Sequence, residues 1–289
     1  MKSKLRIPYE NKEIVSPRLD IAFKMLLGSE ENKDLLADFL SGLLKQEIRP
    51  EDVTVLNGEI AQKTCTEKAI LLDIRLRLVT GELYNIEMQV KFWKDFIPRE
   101  LYYQSKVFTE QPIKGENYSA LHKTVSVAIL DFTLFQEQKS WYNTYTFRSD
   151  ADGSQLTDLA QIAFLELPKN HRQRKNEKPQ SKLEQWALFL SAETEEELNM
   201  LERENPCIEK AVSKLRYFTE EEETRFLIEM REKFLMDEAA HMNLMRKEGR
   251  EEGREEGLAQ VALKMKQNGY ADEDITALTG LSIEEIRKL

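Results

Sequence analysis

The chain has 289 residues, 42 basic and 52 acidic side chains, and a formal charge of −10. At roughly 100–200 residues per domain the length fits one large domain or two modest ones, and 41% apolar with 33% charged residues excludes disorder as the default. No run approaches the ~18 apolar residues of a membrane span, the first residues lack an apolar signal core, and two cysteines with three isolated histidines suit neither a disulfide framework nor a zinc site.

A reducing cytoplasm with no membrane partner is the expected setting. The charge is uneven along the chain. Residues 1–150 carry 21 basic and 22 acidic groups, whereas residues 151–289 carry 21 and 30. The acidity belongs to the second half, so it does not exclude a polyanionic partner for the first.

Residues 17–46 read as helical, with Leu35, Leu36, Phe39, Leu40, Leu43 and Leu44 forming one apolar stripe. After Pro50 the period changes. From Ala69 to Val79 apolar residues alternate with Asp73, Arg75 and Arg77, then Thr80-Gly81-Glu82 supplies a turn, and Ile86, Met88 and Val90 alternate with Asn85, Glu87, Gln89 and Lys91. That pattern predicts a β-hairpin. Residues 99–108 have helical composition, 124–132 form a near-continuous apolar run suited to a central strand, and 142–147 and 161–167 read as further strands. A helix is predicted over 182–190. Strands interspersed with helices define an α/β fold over residues 1–192.

Beyond residue 192 the pattern is wholly helical: an extension over 193–240 packed on the core, then a tail over 241–289. Thr194 with Glu197 and Thr219 with Glu222 have capping-box spacing. Glycines at 249, 253 and 257 would drift along one side of a helix and permit a close neighbour, which points to oligomerisation or packing through this segment. Two short helices are expected over 270–289, joined at Thr279-Gly280-Leu281, with Ser282 and Glu285 capping the second.

The polar face of the hairpin carries the chemistry. Asn85, Glu87, Gln89 and Lys91 share one face of their strand, because side chains alternate with period two. If both apolar faces meet one core, paired residue numbers sum to an even value. A sum of 160 sets Asp73 opposite Glu87; a sum of 162 sets it opposite Gln89. In either register two carboxylates lie on one face, roughly 5–7 Å apart between β-carbons. A divalent cation with oxygen ligands would offset their repulsion; pairing of Asp73 with Arg75, Arg77 or Lys91 would do so too. If the cation is there, Gln89 offers an amide oxygen to it or to the attacking water, and Lys91, Arg75 and Arg77 offset charge on a phosphoryl transition state.

At this point the chain resembles the recombination-promoting nucleases, or PD-(D/E)XK nuclease family transposases. Ser16-Pro-Arg-Leu-Asp20-Ile-Ala-Phe-Lys24 is similar to the family's opening D-x-x-FK helix, and Leu72-Asp73-Ile74 with Ile86-Glu87-Met88-Gln89 to its D…E-x-Q core. Arg99-x-x-x-Tyr103, Lys114-Gly115-Glu116-Asn117-Tyr118, Ile129-Leu130-Asp131-Phe132, Leu165-Glu166-Leu167-Pro168-Lys169 and Trp186-x-x-Phe189 follow in the family's order, and the glycine-studded helix and T-G-L-S ending are similar to family tails.

The resemblance implies a restriction-endonuclease-like core, a mixed β-sheet flanked by helices, and Mg²⁺-dependent DNA endonuclease activity (Mn²⁺ substituting) linked to recombination, transposition or phage defence. Asp73 and Glu87 would bind the metal, with Asp20 as an outer carboxylate. Gln89 stands where many related nucleases have lysine, and Lys91 could take over its charge. The alternative is a catalytically degenerate relative that binds DNA or acts as a scaffold. Cations expected at DNA are Arg75, Arg77, Arg99, Arg172, Arg174 and Lys175, the last three in a basic stretch (169–178) read as a loop. The acidic last helices suit a second copy of the chain better than phosphate.

Overall fold

The computed structural model describes residues 6–9, 12–56, 59–60, 70–71, 74–111, 118–174 and 178–289. The chain divides into two compact units, Met1–Ile228 and Glu229–Leu289.

In the first unit, β1 (Arg6–Tyr9) and β2 (Lys12–Val15) pair antiparallel as a separate ribbon. Helices α1 (Asp20–Leu27) and α2 (Lys33–Leu44) follow. The continuous helix expected over 17–46 is therefore broken: a 3-10 turn, Glu30–Asn32, intervenes, and Asn32 Nδ2 donates to Met25 O at 2.9 Å, giving the backbone a side-chain partner where the helix stops. The leucine stripe is real, with Leu35, Leu36, Phe39, Leu40 and Leu43 buried on α2.

Next come β3 (Val53–Leu56), β4 (Glu59–Ile60) and β5 (Ile70–Leu71), then β6 (Ile74–Leu78) and β7 (Leu83–Gln89). The alternating run from Ala69 does not act as one strand among the described residues: Ile70 and Leu71 pair with β4, and the main sheet begins again at Ile74. Helix α3 (Phe96–Thr109) leads to β8 (Thr124–Leu130), which is buried at every position, and β9 (Tyr142–Thr146) and β10 (Ala160–Glu166) complete the strands. The six-stranded sheet has the order β3-β6-β7-β8-β10-β9. It is mixed: β7, β8 and β10 run parallel, while β3, β6 and β9 join antiparallel. The expected α/β core, a mixed sheet flanked by helices, is what the chain forms.

The remaining helices of this unit are α4 (Leu167–Arg174), α5 (Lys182–Ser191), α6 (Glu195–Glu202) and α7 (Pro206–Glu220). Helix α2 packs so closely on α5 that a Cβ at Gly42 would sit 2.6 Å from Leu183 N, so only glycine fits. Trp186, fully buried, meets Phe39 edge to face at 6.1 Å and donates Nε1–H to Asp38 Oδ2 at 3.0 Å. Lys182 Nζ and Asn205 Nδ2 also donate to Asp38, at 2.6 and 3.0 Å, tying α2, α5 and the start of α7 to one carboxylate.

Two expectations need correction here. Thr219 does not cap a new helix: it lies in the last turn of α7, where its hydroxyl donates to Leu215 O and accepts from Val15 N. Thr194 does cap α6, accepting from Glu197 N at 3.3 Å. The supposed basic loop begins as α4, and Lys169 is buried, because Glu166 at the end of β10 takes its ammonium at 2.6 Å.

Helix α8 (Glu222–Gln267) runs on into the second unit, which ends with α9 (Asp272–Thr279) and α10 (Ile283–Lys288). As expected, Gly280 closes α9 in a left-handed conformation (φ 75°) and Ser282 with Glu285 forms the capping box of α10. Ala262, Ile275 and Ile286 are the small buried core of this unit. No helix among the described residues is long and apolar enough to cross a membrane.

Candidate active site

The site is organised by the β6–β7 hairpin. Its turn closes with Leu78 N donating to Glu82 O and Gly81 N to Leu78 O. Gly81 adopts φ 95°, and a side chain there would run into the His122 ring. The register pairs Ile74 with Ile86, Arg75 with Asn85, Leu76 with Tyr84 and Arg77 with Leu83. Each pair sums to 160, the first of the two alternatives. Asp73 itself lies outside the described residues.

The middle of the hairpin's polar face, at Asn85 and Glu87, is not wet. The β7–α3–β8 crossover lays α3 over it. Phe96 packs on Ala128, Leu130 and Phe164 near one end, and Val107 packs on Leu83 near the other. Between them Gln104 Nε2 donates to Thr124 O at 2.7 Å and its Oε1 accepts from Ser126 Oγ at 2.7 Å. Phe96, Glu100 and Gln104 follow at four-residue steps, so Glu100 points at the same layer, level with the middle of β7 and β8. Glu87, Asn85 and Glu100 are 3%, 0% and 1% exposed.

Within this layer Glu87 is held by its own strand. Asn85 Nδ2 donates to Glu87 Oε1 and Gln89 Nε2 to Glu87 Oε2, both at 3.0 Å. A carboxylate oxygen accepts more than one hydrogen bond, so the two amides orient Glu87 without excluding further partners. Asn85 Oδ1 is buried with no hydrogen-bond partner among the described residues, an acceptor that burial makes costly to leave unfilled. The donors gathered here are oxygens, the set Mg²⁺ takes.

Helix α3 also contributes Arg99 and Tyr103. The Arg99 guanidinium lies 5.4 Å from the Phe96 ring centre and 5.8 Å from that of Tyr103, and 4.0 Å from Glu100 Oε1. Its Nε and Nη2 have no hydrogen-bond acceptor among the described residues. Burial pushes the Tyr103 hydroxyl above its ordinary pKa, against the pull of Arg99 and with the Glu87 and Glu100 carboxylates adding to the rise.

Other expected residues are placed as follows. Asp20 opens α1, half-buried, with Oδ1 accepting from Ile21 N at 2.9 Å. Lys91 lies just past β7 and is half-buried. Arg75 is ion-paired with Glu110 at 2.7 Å, and Arg77 is exposed. Arg172, exposed on the otherwise mostly buried α4, donates to Thr133 Oγ1 at 3.3 Å; Arg174 ends that helix, and Lys175 lies outside the described residues. Among the described residues no three His, Cys, Asp or Glu side chains stand together in a way that would hold a metal ion.

Sequence reasoning missed Glu100 and Gln104. The available signal was the polar pair one turn apart on the buried face of a helix that follows a strand with a polar face. Asp131 was quoted in a motif without a role. Its N–H donates to Gln89 O at 2.9 Å, and its carboxylate takes Arg18 Nη1 at 2.9 Å. Burial raises the Asp131 pKa while Arg18 pulls it down.

A mixed sheet in which an antiparallel hairpin brings a buried acid beside a parallel crossover is consistent with a PD-(D/E)XK fold. A model of the PD-(D/E)XK nuclease family transposases matches residues 17–244, most of the chain, and the protein belongs to that family. A search of curated proteins finds no match, and neither does one of solved structures.

Proposed function

We propose that this protein is a divalent-metal-dependent endonuclease that hydrolyses phosphodiester bonds in DNA, in a setting of recombination, transposition or phage defence. The observation that supports this most is Glu87: a buried carboxylate steered by two amides, in a hairpin whose register sums to 160, the value under which positions 73 and 87 are partners.

Asp73 and Glu87 would hold Mg²⁺ or Mn²⁺, with Asp20 as an outer carboxylate. The ion would supply Lewis-acid polarisation of the phosphate and a more acidic water. The chain's own residues do the rest. Asn85 and Gln89 fix the rotamer of Glu87. The amide oxygen of Gln89 would accept a hydrogen bond from the attacking water and orient it. Lys91 brings the ammonium that position 89 lacks, and the Arg99 guanidinium, beside Glu100 with Nε and Nη2 buried, adds positive field to the site. Exposed Arg77 and Arg172 extend the cationic path, with Arg174 and Lys175 following in sequence; Arg75, already bound to Glu110, acts through the field it adds.

Plasmid nicking tests the reading. Wild-type protein with Mg²⁺ or Mn²⁺ should convert supercoiled DNA to open circles, and Asp73→Ala and Glu87→Gln should lower the rate by about 10²-fold or more. Equal nicking by the variants would refute the assignment. Binding without nicking by the wild type would favour the degenerate, DNA-binding relative.

A further inference from the structure

Just past Gln89 the chain passes from β7 to α3 through residues 90–95. This connection carries two successive aromatic residues between two lysines: Lys91, Phe92, Trp93, Lys94. Phe92 is 59% exposed and Trp93 37%, whereas Phe96, a turn later, is buried. The exposed ring is nevertheless fixed. Phe92 meets Phe132 edge to face at 5.6 Å and 75°, and Phe132 meets Phe96 at 5.7 Å and 84°, so a relay of rings ties the outermost one to the core.

A rigid aromatic face held in water gains free energy when a flat partner covers it. The chemistry around it indicates which partner. Lys91 and Lys94 flank the pair in sequence, and Lys94 is exposed. Rings for bases interleaved with cations for phosphates are what an unstacked nucleic-acid strand requires. A duplex offers the same phosphates but hides its base faces inside the stack. The position adds a reason: the platform continues directly from the strand that bears Glu87 and Gln89.

We propose that Phe92 and Trp93 form a stacking platform for unpaired bases, which makes single-stranded DNA, or a frayed or gapped region of a duplex, the substrate class of this site. The catalytic consequence rests on the nuclease reading above; the binding surface does not.

The test uses the full chain in EDTA, so that no cleavage intervenes, with an oligothymidylate of about 16 nucleotides, the upper end of such site sizes, and a duplex of equal length. The single strand should quench indole emission and bind about tenfold or more tightly than the duplex. The paired substitution Phe92→Ala with Trp93→Ala should weaken single-strand binding roughly 5- to 100-fold, as loss of one or two stacked bases does, and leave duplex binding nearly unchanged. Trp93→Phe should keep most of the affinity but lose the quenching, which separates stacking from a folding defect. Equal affinity for the two DNAs, or unaltered single-strand binding by the paired variant, would overturn the proposal. So would a dimer that dissociates in the paired variant, because the rings would then belong to a second copy. Plasmid nicking with Mg²⁺ keeps the two readings apart. Nicking without a single-strand preference removes the platform alone, and single-strand binding with quenching but no nicking removes the catalysis alone.

Discussion

Glu87 shows how a single acidic residue is made useful by its neighbours. A buried carboxylate with no compensating donor is costly, and two amides on the same strand face meet that need at 3.0 Å each. Gln89→Leu removes one of these donors and should lower stability by about 1–3 kcal/mol in urea unfolding; an unchanged midpoint would mean the amide does not support the acid. Asp38 is a second such residue, and here the effect is pH-dependent. Burial tends to raise its pKa, but hydrogen bonds from Lys182, Asn205 and Trp186 outweigh that and hold it below the ordinary carboxylate value. A depressed folded-state pKa contributes stability that is complete above the unfolded value, about 4, and is lost as pH falls through the folded one. Asp38→Asn should therefore flatten the fall in urea midpoint between about pH 5 and pH 3, and an unaltered slope would remove Asp38 as its source.

At the scale of elements, β10 and α4 are joined by a lock. Glu166 Oε1 accepts from Leu134 N and Phe135 N at 2.7 and 3.1 Å, while Lys169 Nζ reaches both Glu166 Oε2 at 2.6 Å and Phe135 O at 2.7 Å. Glu166→Ala would leave the Lys169 ammonium buried without its anion, and calorimetric unfolding should show a loss of about 3–5 kcal/mol; a loss below about 1 kcal/mol would mean water replaces the acid. This lock also explains where sequence reading failed. Five cations among ten residues looked like a solvated loop, because nothing local reveals that Glu166, three residues before Lys169, would be buried beside it. The hairpin was legible for the opposite reason: its alternation and its glycine turn are local, and they narrowed its register to two values, of which the structure selects the sum of 160. The break at residues 28–32 and the true position of Thr219 depend on Met25 O, Leu215 O and Val15 N, partners that periodicity does not display.

For the whole molecule, the sheet was readable as α/β because strands and helices alternate in the sequence, but its order was not, since that depends on which edges meet in space. The burial of the hairpin's polar face under α3 was equally hidden. The helical composition of 99–108 does not reveal which side meets the sheet: Ile97, Leu101 and Tyr102 stay exposed, while Glu100 and Gln104 are buried once the helix has docked. Helix α8 exposes Met230, Phe234, Leu244 and Met245, and a Cβ at Gly249, Gly253 or Gly257 would have nothing within 4 Å among the described residues. These features support self-association through the C-terminal helices as a proposal. Sedimentation of a chain truncated after His241 should give a smaller assembly than the full chain, and an unchanged assembly state would eliminate the idea.

The functional account depends on two acids sharing one ion. Titration calorimetry with Mn²⁺ measures this directly: the wild-type chain should give saturable heat with a defined stoichiometry, and Asp73→Ala and Glu87→Gln should each abolish it while retaining the wild-type circular dichroism. Saturable binding of equal affinity in both folded variants would contradict a shared cation at positions 73 and 87.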